Sequence, residues 1–122
     1  MSTVGTKELG ANGETAAKNY LLSKGYKVLE TNWRHKRWEI DIVAERHNEI
    51  IFVEVKTRTG NFFGEPEMAV NKSKQQFLGQ AASEYMHQKR LGGDVRFDIV
   101  SVTVTSGGNE IHHVEDAFFP RA

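Results

Sequence analysis

The 122-residue chain has no cysteine. That absence excludes a disulfide framework, a thiolate zinc site and a cysteine nucleophile. Charge of one sign is not in excess either: sixteen Lys plus Arg balance sixteen Asp plus Glu. Net charge therefore cannot grip nucleic acid, and any such grip needs local clustering. Long apolar runs are missing. The strongest, Ile50 to Val53, is far too short to cross a bilayer. Met1 to Gly13 lacks the apolar core of a signal peptide, so the cytoplasm is the expected location. There is no internal repeat, no low-complexity segment, no phosphate-cradling glycine loop and no His-Glu-x-x-His helix. No serine stands in a recognisable nucleophile setting. The five histidines suggest little: His112 and His113, adjacent on a strand, face opposite ways and cannot share one metal. What remains is an ordinary globular composition, 39% hydrophobic and 26% charged, read as one domain over residues 1–122.

Periodicity sets out the elements. Ala16, Ala17, Tyr20, Leu21 and Lys24 follow helical spacing from about Gly10, and Gly25 stands where a helix commonly stops. Tyr26 to Glu30 reads as a short strand. Trp33 to Trp38 is basic and bracketed by aromatics, a turn leading into the next strand. From Trp38 to Ala44 the pattern alternates, with Trp38, Ile40, Ile42 and Ala44 on one face and Glu39, Asp41 and Val43 on the other. Arg46-His47-Asn48 reads as a turn. Glu49 to Arg58 is apolar on both faces in its first half, which predicts a central strand. Gly60 to Pro66 is a loop. A long helix is expected from about Pro66 to Arg90, with Phe77, Ala81 and Tyr85, joined by Leu78 and Ala82, facing inward. Val95 to Thr105 and Glu110 to Glu115 complete the set as strands. Helix, three strands, helix, two strands predicts an α/β domain with a mixed sheet covered by helices.

Three residues of this layout attract attention together. Glu54 and Lys56, two apart on a strand, share a face. A hairpin about residues 46–48 brings Asp41 near the level of Glu54. Two carboxylates at one point make a hard oxygen site for Mg²⁺ or Mn²⁺, to which the Val55 carbonyl could add a third oxygen. A lysine beside them can hold a phosphate or a water turned nucleophile, as phosphodiester hydrolysis requires. Glu-x-Lys by itself is weak, since an acidic-x-Lys match arises roughly once by chance in a chain this long. The bare triplet more often reads as a solvated, salt-bridged strand face. The apolar context changes that balance, because charges in a strand buried on both sides are costly unless paired or metal-bound.

Glu14 shares the inward helical face with Ala17 and Leu21. It reads equally as a metal or water ligand and as an acid favoured by a helix N-terminus. Glu39 shares a face with Asp41 but reads better as a solvated strand acid. Arg34, Lys36 and Arg37 are candidate phosphate contacts, Arg58 could flank the site, and Trp38 reads as core. Lys72 is a further candidate, although Lys72 and Lys74 read equally as surface lysines.

These segments together form a pattern: Gly10-x-x-Gly13-Glu14-x-x-Ala17-x-x-Tyr20-Leu21, Gly25-Tyr26, Asn32-Trp33-Arg34, Glu39-Ile40-Asp41-Ile42-Val43-Ala44, Phe52-Val53-Glu54-Val55-Lys56-Thr57-Arg58 and Arg96-Phe97-Asp98. The pattern resembles the bacterial YraN family of predicted endonucleases. That family is similar to archaeal Holliday junction resolvases and belongs to the restriction-endonuclease-like PD-(D/E)xK superfamily. The resemblance spans nearly the whole chain. It implies a central mixed sheet flanked by helices, metal binding by Asp41 and Glu54, assistance by Lys56 and support by Glu14. Two departures stand out. Trp38 occupies a position where the family often has glycine, and Ile40 precedes Asp41 where the superfamily often has proline.

The activity implied is metal-dependent hydrolysis of DNA phosphodiester bonds, with branched DNA among the candidate substrates. The alternative is a non-catalytic nucleic-acid-binding module on the same fold. By analogy with the resolvases a homodimer is a candidate assembly, and Phe62-Phe63 and the tail Ala117 to Pro120 read equally as interface segments and as caps on the core.

Overall fold

The computed structural model describes residues 6–60 and 70–120, with the side chains of 12–60 and 70–120. The elements run α1 (Thr6–Ser23), β1 (Lys27–His35), β2 (Trp38–Arg46), β3 (Glu49–Thr59), α2 (Lys72–Gln88), β4 (Val95–Thr105) and β5 (Gly108–Val114). The strands form one sheet in the order β1-β2-β3-β4-β5. Three pairings are antiparallel, while β3 and β4 run parallel, the two joined through α2. The result is the expected mixed five-stranded sheet flanked by two helices, consistent with a restriction-endonuclease-like fold.

Each helix covers one face. Beneath α1, Ala17, Leu21 and Tyr26 meet Ile42, Ile51, Val53 and Val100. Beneath α2, Leu78, Ala81 and Tyr85 meet Phe52, Phe97 and Ile99. β3 is central as its composition demands, with Ile50 to Glu54 buried in an unbroken run. The β2–β3 hairpin closes in two residues because His47 and Asn48 both take left-handed backbone angles, φ 53° and 64°. That conformation matches the twist of the flanking strands.

Four local expectations are corrected. β1 extends through Trp33 to His35, so the turn shrinks to Lys36-Arg37 and Trp33 joins the core. α2 begins at Lys72, not Pro66: Val70 and Asn71 precede it, and the Asn71 side chain caps the helix by accepting from the Lys74 N–H at 2.9 Å. Residues 66–69 lie outside the described residues. Phe77 is only half-buried, because Leu78 takes the inward position. Finally, the alternation of β2 breaks at Asp41. Ile40 packs with Val43 under α2, whereas Ile42 and Ala44 pack under α1. On the paired strand, Asn32 lies between the Thr31–Ile42 and Trp33–Ile40 pairs and takes a left-handed φ of 52°. A strand twisted there cannot keep a strict period of two.

In the tail, Phe118 packs against Phe97 with ring centroids 5.4 Å apart, while Phe119 remains 77% exposed. Phe62-Phe63 lies outside the described residues. Among those described, no helix is long and apolar enough to cross a membrane.

Candidate active site

The β2–β3 ladder runs from Arg46–Glu49 to Ile42–Val53 and stops there. Beyond that pair β3 continues against β4, with Glu54 opposite Ile99 and Lys56 opposite Ser101. β2 continues against β1. Asp41 is the first residue past the fork. Its Oδ2 accepts a hydrogen bond from the Val55 peptide N–H at 2.8 Å. The carboxylate thus takes the bond that a paired β2 carbonyl would otherwise accept.

Glu54 follows Phe52 on the α2-facing side and is 7% exposed. Its Oε1 lies 3.7 Å from the Lys56 Nζ and 3.8 Å from the Lys74 Nζ. Burial, then the charge of Asp41, pushes its carboxyl up from 4.5 to about 7, against the pull of Lys74 and Lys56. Asp41 is also raised, chiefly by burial. The Val55 N–H, Lys74 and Lys56 oppose that shift. Neither carboxylate is fully compensated.

Glu14 approaches from α1. Its helix packs closely on β3 because Gly13 has no side chain: a Cβ there would collide with the Thr57 side chain. Burial and then the Asp41 charge raise the Glu14 carboxyl, while a hydrogen bond with the Asn32 side chain opposes this. The four sequence-identified residues Glu14, Asp41, Glu54 and Lys56 therefore gather at the fork. Val55, singled out in the sequence for its carbonyl, also contributes its N–H.

The donor set suits a hard divalent cation. Asp41, half-buried, and Glu54, buried, are carboxylates short of positive charge, and Mg²⁺ is held by one or two protein carboxylates plus waters. Among the described residues no cluster of three or more His, Cys, Asp or Glu is arranged to hold a metal ion. Water and substrate oxygens would have to complete the shell.

Of the candidate phosphate contacts, Arg34, Lys36 and Arg37 are exposed together where β1 meets β2. Arg34 pairs with Glu39 at 3.3 Å. Arg37 donates to Gln80 and lies over the Trp38 ring. Trp38 is half-buried against the core, stacked with His35, as is the buried Trp33. Arg58 is half-buried near the end of β3, and Lys72 is exposed at the start of α2.

Two residues at the site were not legible as members of it. Asn32 holds Glu14. Lys74 reaches Glu54, and a signal for it existed: Lys74, Leu78, Ala81 and Tyr85 follow i, i+4, i+7, i+11 spacing, so the lysine lies on the inward stripe.

A second polar cluster lies on the α1-facing side and also escaped the sequence reading. Asp98 is fully buried and accepts from Arg96 Nε and Nη2, each at 2.8 Å, and from the Asp116 N–H at 3.0 Å. His113 Nε2 approaches Asp98 to 2.7 Å. With the ring proton on Nε2, Nδ1 accepts from the Tyr20 hydroxyl at 3.1 Å. The Tyr26 hydroxyl accepts from Arg96 and donates to Glu115, both at 2.8 Å. The hydrogen bonds of His113 and Arg96 outweigh burial and hold the Asp98 carboxyl below its ordinary value.

Comparison with known proteins covers most of the chain. Residues 13–102 match the model of the Uncharacterised protein family UPF0102. The chain is 42% identical over 115 residues to a UPF0102 protein of Alkaliphilus oremlandii, covering 92% of this chain and 98% of that one. It is 43% identical over 113 residues to one of Bacteroides thetaiotaomicron, covering 93% of each. It is 45% identical over 112 residues to one of Thermodesulfovibrio yellowstonii, covering 92% and 96%.

Proposed function

This chain belongs to the UPF0102 family, and from that membership and the site at the strand fork we propose that it is a metal-dependent endonuclease hydrolysing DNA phosphodiester bonds, with branched, junction-like DNA as the substrate class. The observation that carries this reading is the pairing of Asp41 with Glu54. Burial raises the proton affinity of both carboxylates, the charge of Asp41 raises that of Glu54 further, and two lysines reach Glu54. An arrangement that costs stability without completing its own charge balance is typical of a functional site.

Asp41 and Glu54 would hold Mg²⁺ or Mn²⁺. Bound there, the ion supplies charge neutralisation at the phosphate and a water of lowered pKa. The protein's own groups do the rest. The Val55 N–H orients the Asp41 carboxylate. Lys56, on the same strand as Glu54, orients the attacking water and stabilises charge developing on the phosphate oxygens. Glu14, steered by Asn32 and raised in proton affinity, hydrogen-bonds water beside Asp41. The exposed Arg34, Lys36 and Arg37 give the DNA backbone a docking edge.

The test is incubation of labelled four-way junction and flap DNA with the protein in Mg²⁺ or Mn²⁺. Wild type should cut, and Asp41→Ala should lose roughly a thousandfold, the several kcal/mol that metal-assisted charge stabilisation supplies. Equal trace cleavage by both proteins would sink the enzyme reading. Salt-sensitive binding without cleavage, surviving Asp41→Ala and Glu54→Ala, would establish a binding module in its place.

A further inference from the structure

The two ammonium groups at Glu54 come from separate elements. Lys56 is fixed on β3, and Lys74 is in the first turn of α2. Both reach the same carboxylate oxygen, at 3.7 and 3.8 Å. The Lys74 Nζ also lies 5.5 Å from the centre of the Phe77 ring, whose face favours a cation there. The side chains of Lys74 and Lys56 are 38% and 31% exposed, so both remain open to solvent beside a buried acid.

Counting charge at the fork gives two carboxylates, Asp41 and Glu54, against two ammoniums, Lys56 and Lys74. Glu14 beside Asp41 adds a third carboxylate, so the fork carries one negative charge in excess. If a divalent cation takes up the two carboxylates, two positive charges lose their counter-ions. A pentacovalent phosphate in hydrolysis carries about two negative charges, and one lysine would leave that half matched. On the site reading proposed above, we infer that Lys74 is a second phosphate-contacting cation of the site, kept on Glu54 in the metal-free protein and freed for DNA once the charge of Glu54 is neutralised. The motif that carries the resemblance includes Lys56 and not Lys74. It is the crossover through α2 that brings Lys74 into place.

A binding cycle tests this without turnover. Affinity for a fluorescein-labelled four-way junction is measured by anisotropy in EDTA and mildly alkaline buffer, for wild type, Lys74→Gln, Glu54→Gln and the double variant. Glu54→Gln stands in for neutralisation of the carboxylate. It should bind about tenfold tighter than wild type, since one repulsive charge is lost and two cations are released. Lys74→Gln alone should stay within about twofold of wild type, its charge being already occupied. The double variant should lose most of the tenfold gain, and its log–log salt slope should fall by about 0.9 relative to Glu54→Gln, the value for one phosphate contact.

Lys74→Arg in the Glu54→Gln background should keep the gain. Lys89→Gln is the control for general charge: Lys89 pairs with Glu30 at the far end of α2, about 22 Å along the helix, and its loss should change nothing. If Glu54→Gln and the double variant bind equally, or if adding Lys89→Gln to Glu54→Gln costs as much affinity as adding Lys74→Gln to it, the inference falls, even if the protein cleaves junctions. If the cycle holds and no cleavage is found, Lys74 stands as a phosphate contact and the nuclease reading is what fails.

Discussion

Asp98 and Glu54 lie on neighbouring strands, one position out of register, and each is buried within the sheet. Their proton affinities nevertheless move in opposite directions. Asp98, on the α1-facing side, has two Arg96 bonds at 2.8 Å, His113 at 2.7 Å and a backbone N–H, and its carboxyl is held below the usual range. Glu54, on the α2-facing side, has two ammoniums at 3.7 and 3.8 Å and a second carboxylate beside it, and its carboxyl rises to about 7. Burial opposes ionisation in both. The difference lies in compensation: one carboxylate is saturated by its own fold, and the other is left wanting positive charge. Saturation fits the first to a structural role; the deficit at the second is what the proposed binding site rests on.

Substitutions can break this contrast. The largest effect is expected at Asp98→Ala, which strands Arg96 and His113 without their shared partner. A loss of about 3–5 kcal/mol in denaturant unfolding is predicted, and a loss below about 1 kcal/mol would show that the cluster is ornamental.

Next comes Glu54→Gln. The folded-state carboxyl titrates near 7 against 4.5 when unfolded, so the folded protein binds that proton more tightly. Stability from this group is complete below 4.5 and is lost as pH rises through about 7. Removing the charge should therefore stabilise the protein by about 1–3 kcal/mol in mildly alkaline solution and by almost nothing in acid. Asp98 has the reverse sign, its lowered carboxyl contributing stability above 3.8 that is lost as pH falls through its lower folded value. Unfolding followed against pH in wild type and both variants would show the two opposed slopes, or refute them.

Gly13→Ala sharpens the comparison from the α1 side. Its new methyl group meets the Thr57 side chain. A cost of about 1–3 kcal/mol is expected, together with a loss of cleavage exceeding the loss of folded protein, because Glu14 moves with the helix. Thr57→Ala added to it should recover part of both. The smallest effect belongs to Arg34→Ala. Its pairing with Glu39 is exposed, and melting should detect no more than about 0.5 kcal/mol, while DNA affinity falls measurably.

The candidate site was partly legible from the chain because its nearest members are close in sequence. Asp41 and Glu54 are joined by one tight hairpin, and Lys56 is two residues further along the same strand, so pattern and turn chemistry together bring them to one level. The same logic failed at β2, where alternation predicted Ile40 and Ile42 on one face. The left-handed Asn32 on the neighbouring strand marks the twist that separates them and leaves Asp41 at the fork. It failed for Lys74 as well, whose inward spacing was present but whose partner lay across the crossover. His113 offered no local sign at all, since its meaning depends on Tyr20, ninety-three positions away, and on Asp98.

From its sequence alone the chain determined the order of its elements, the centrality of β3 and the mixed sheet. These follow from backbone period, turn residues and the need to bury apolar faces, all of which act over short stretches. Tertiary structure alone decided which buried charges would be satisfied. An ionisable group responds to every charge and dipole within several ångströms, whatever its distance along the chain. The closure of α1 and α2 over the sheet gave Asp98 a complete set of partners and left Asp41 and Glu54 short of one.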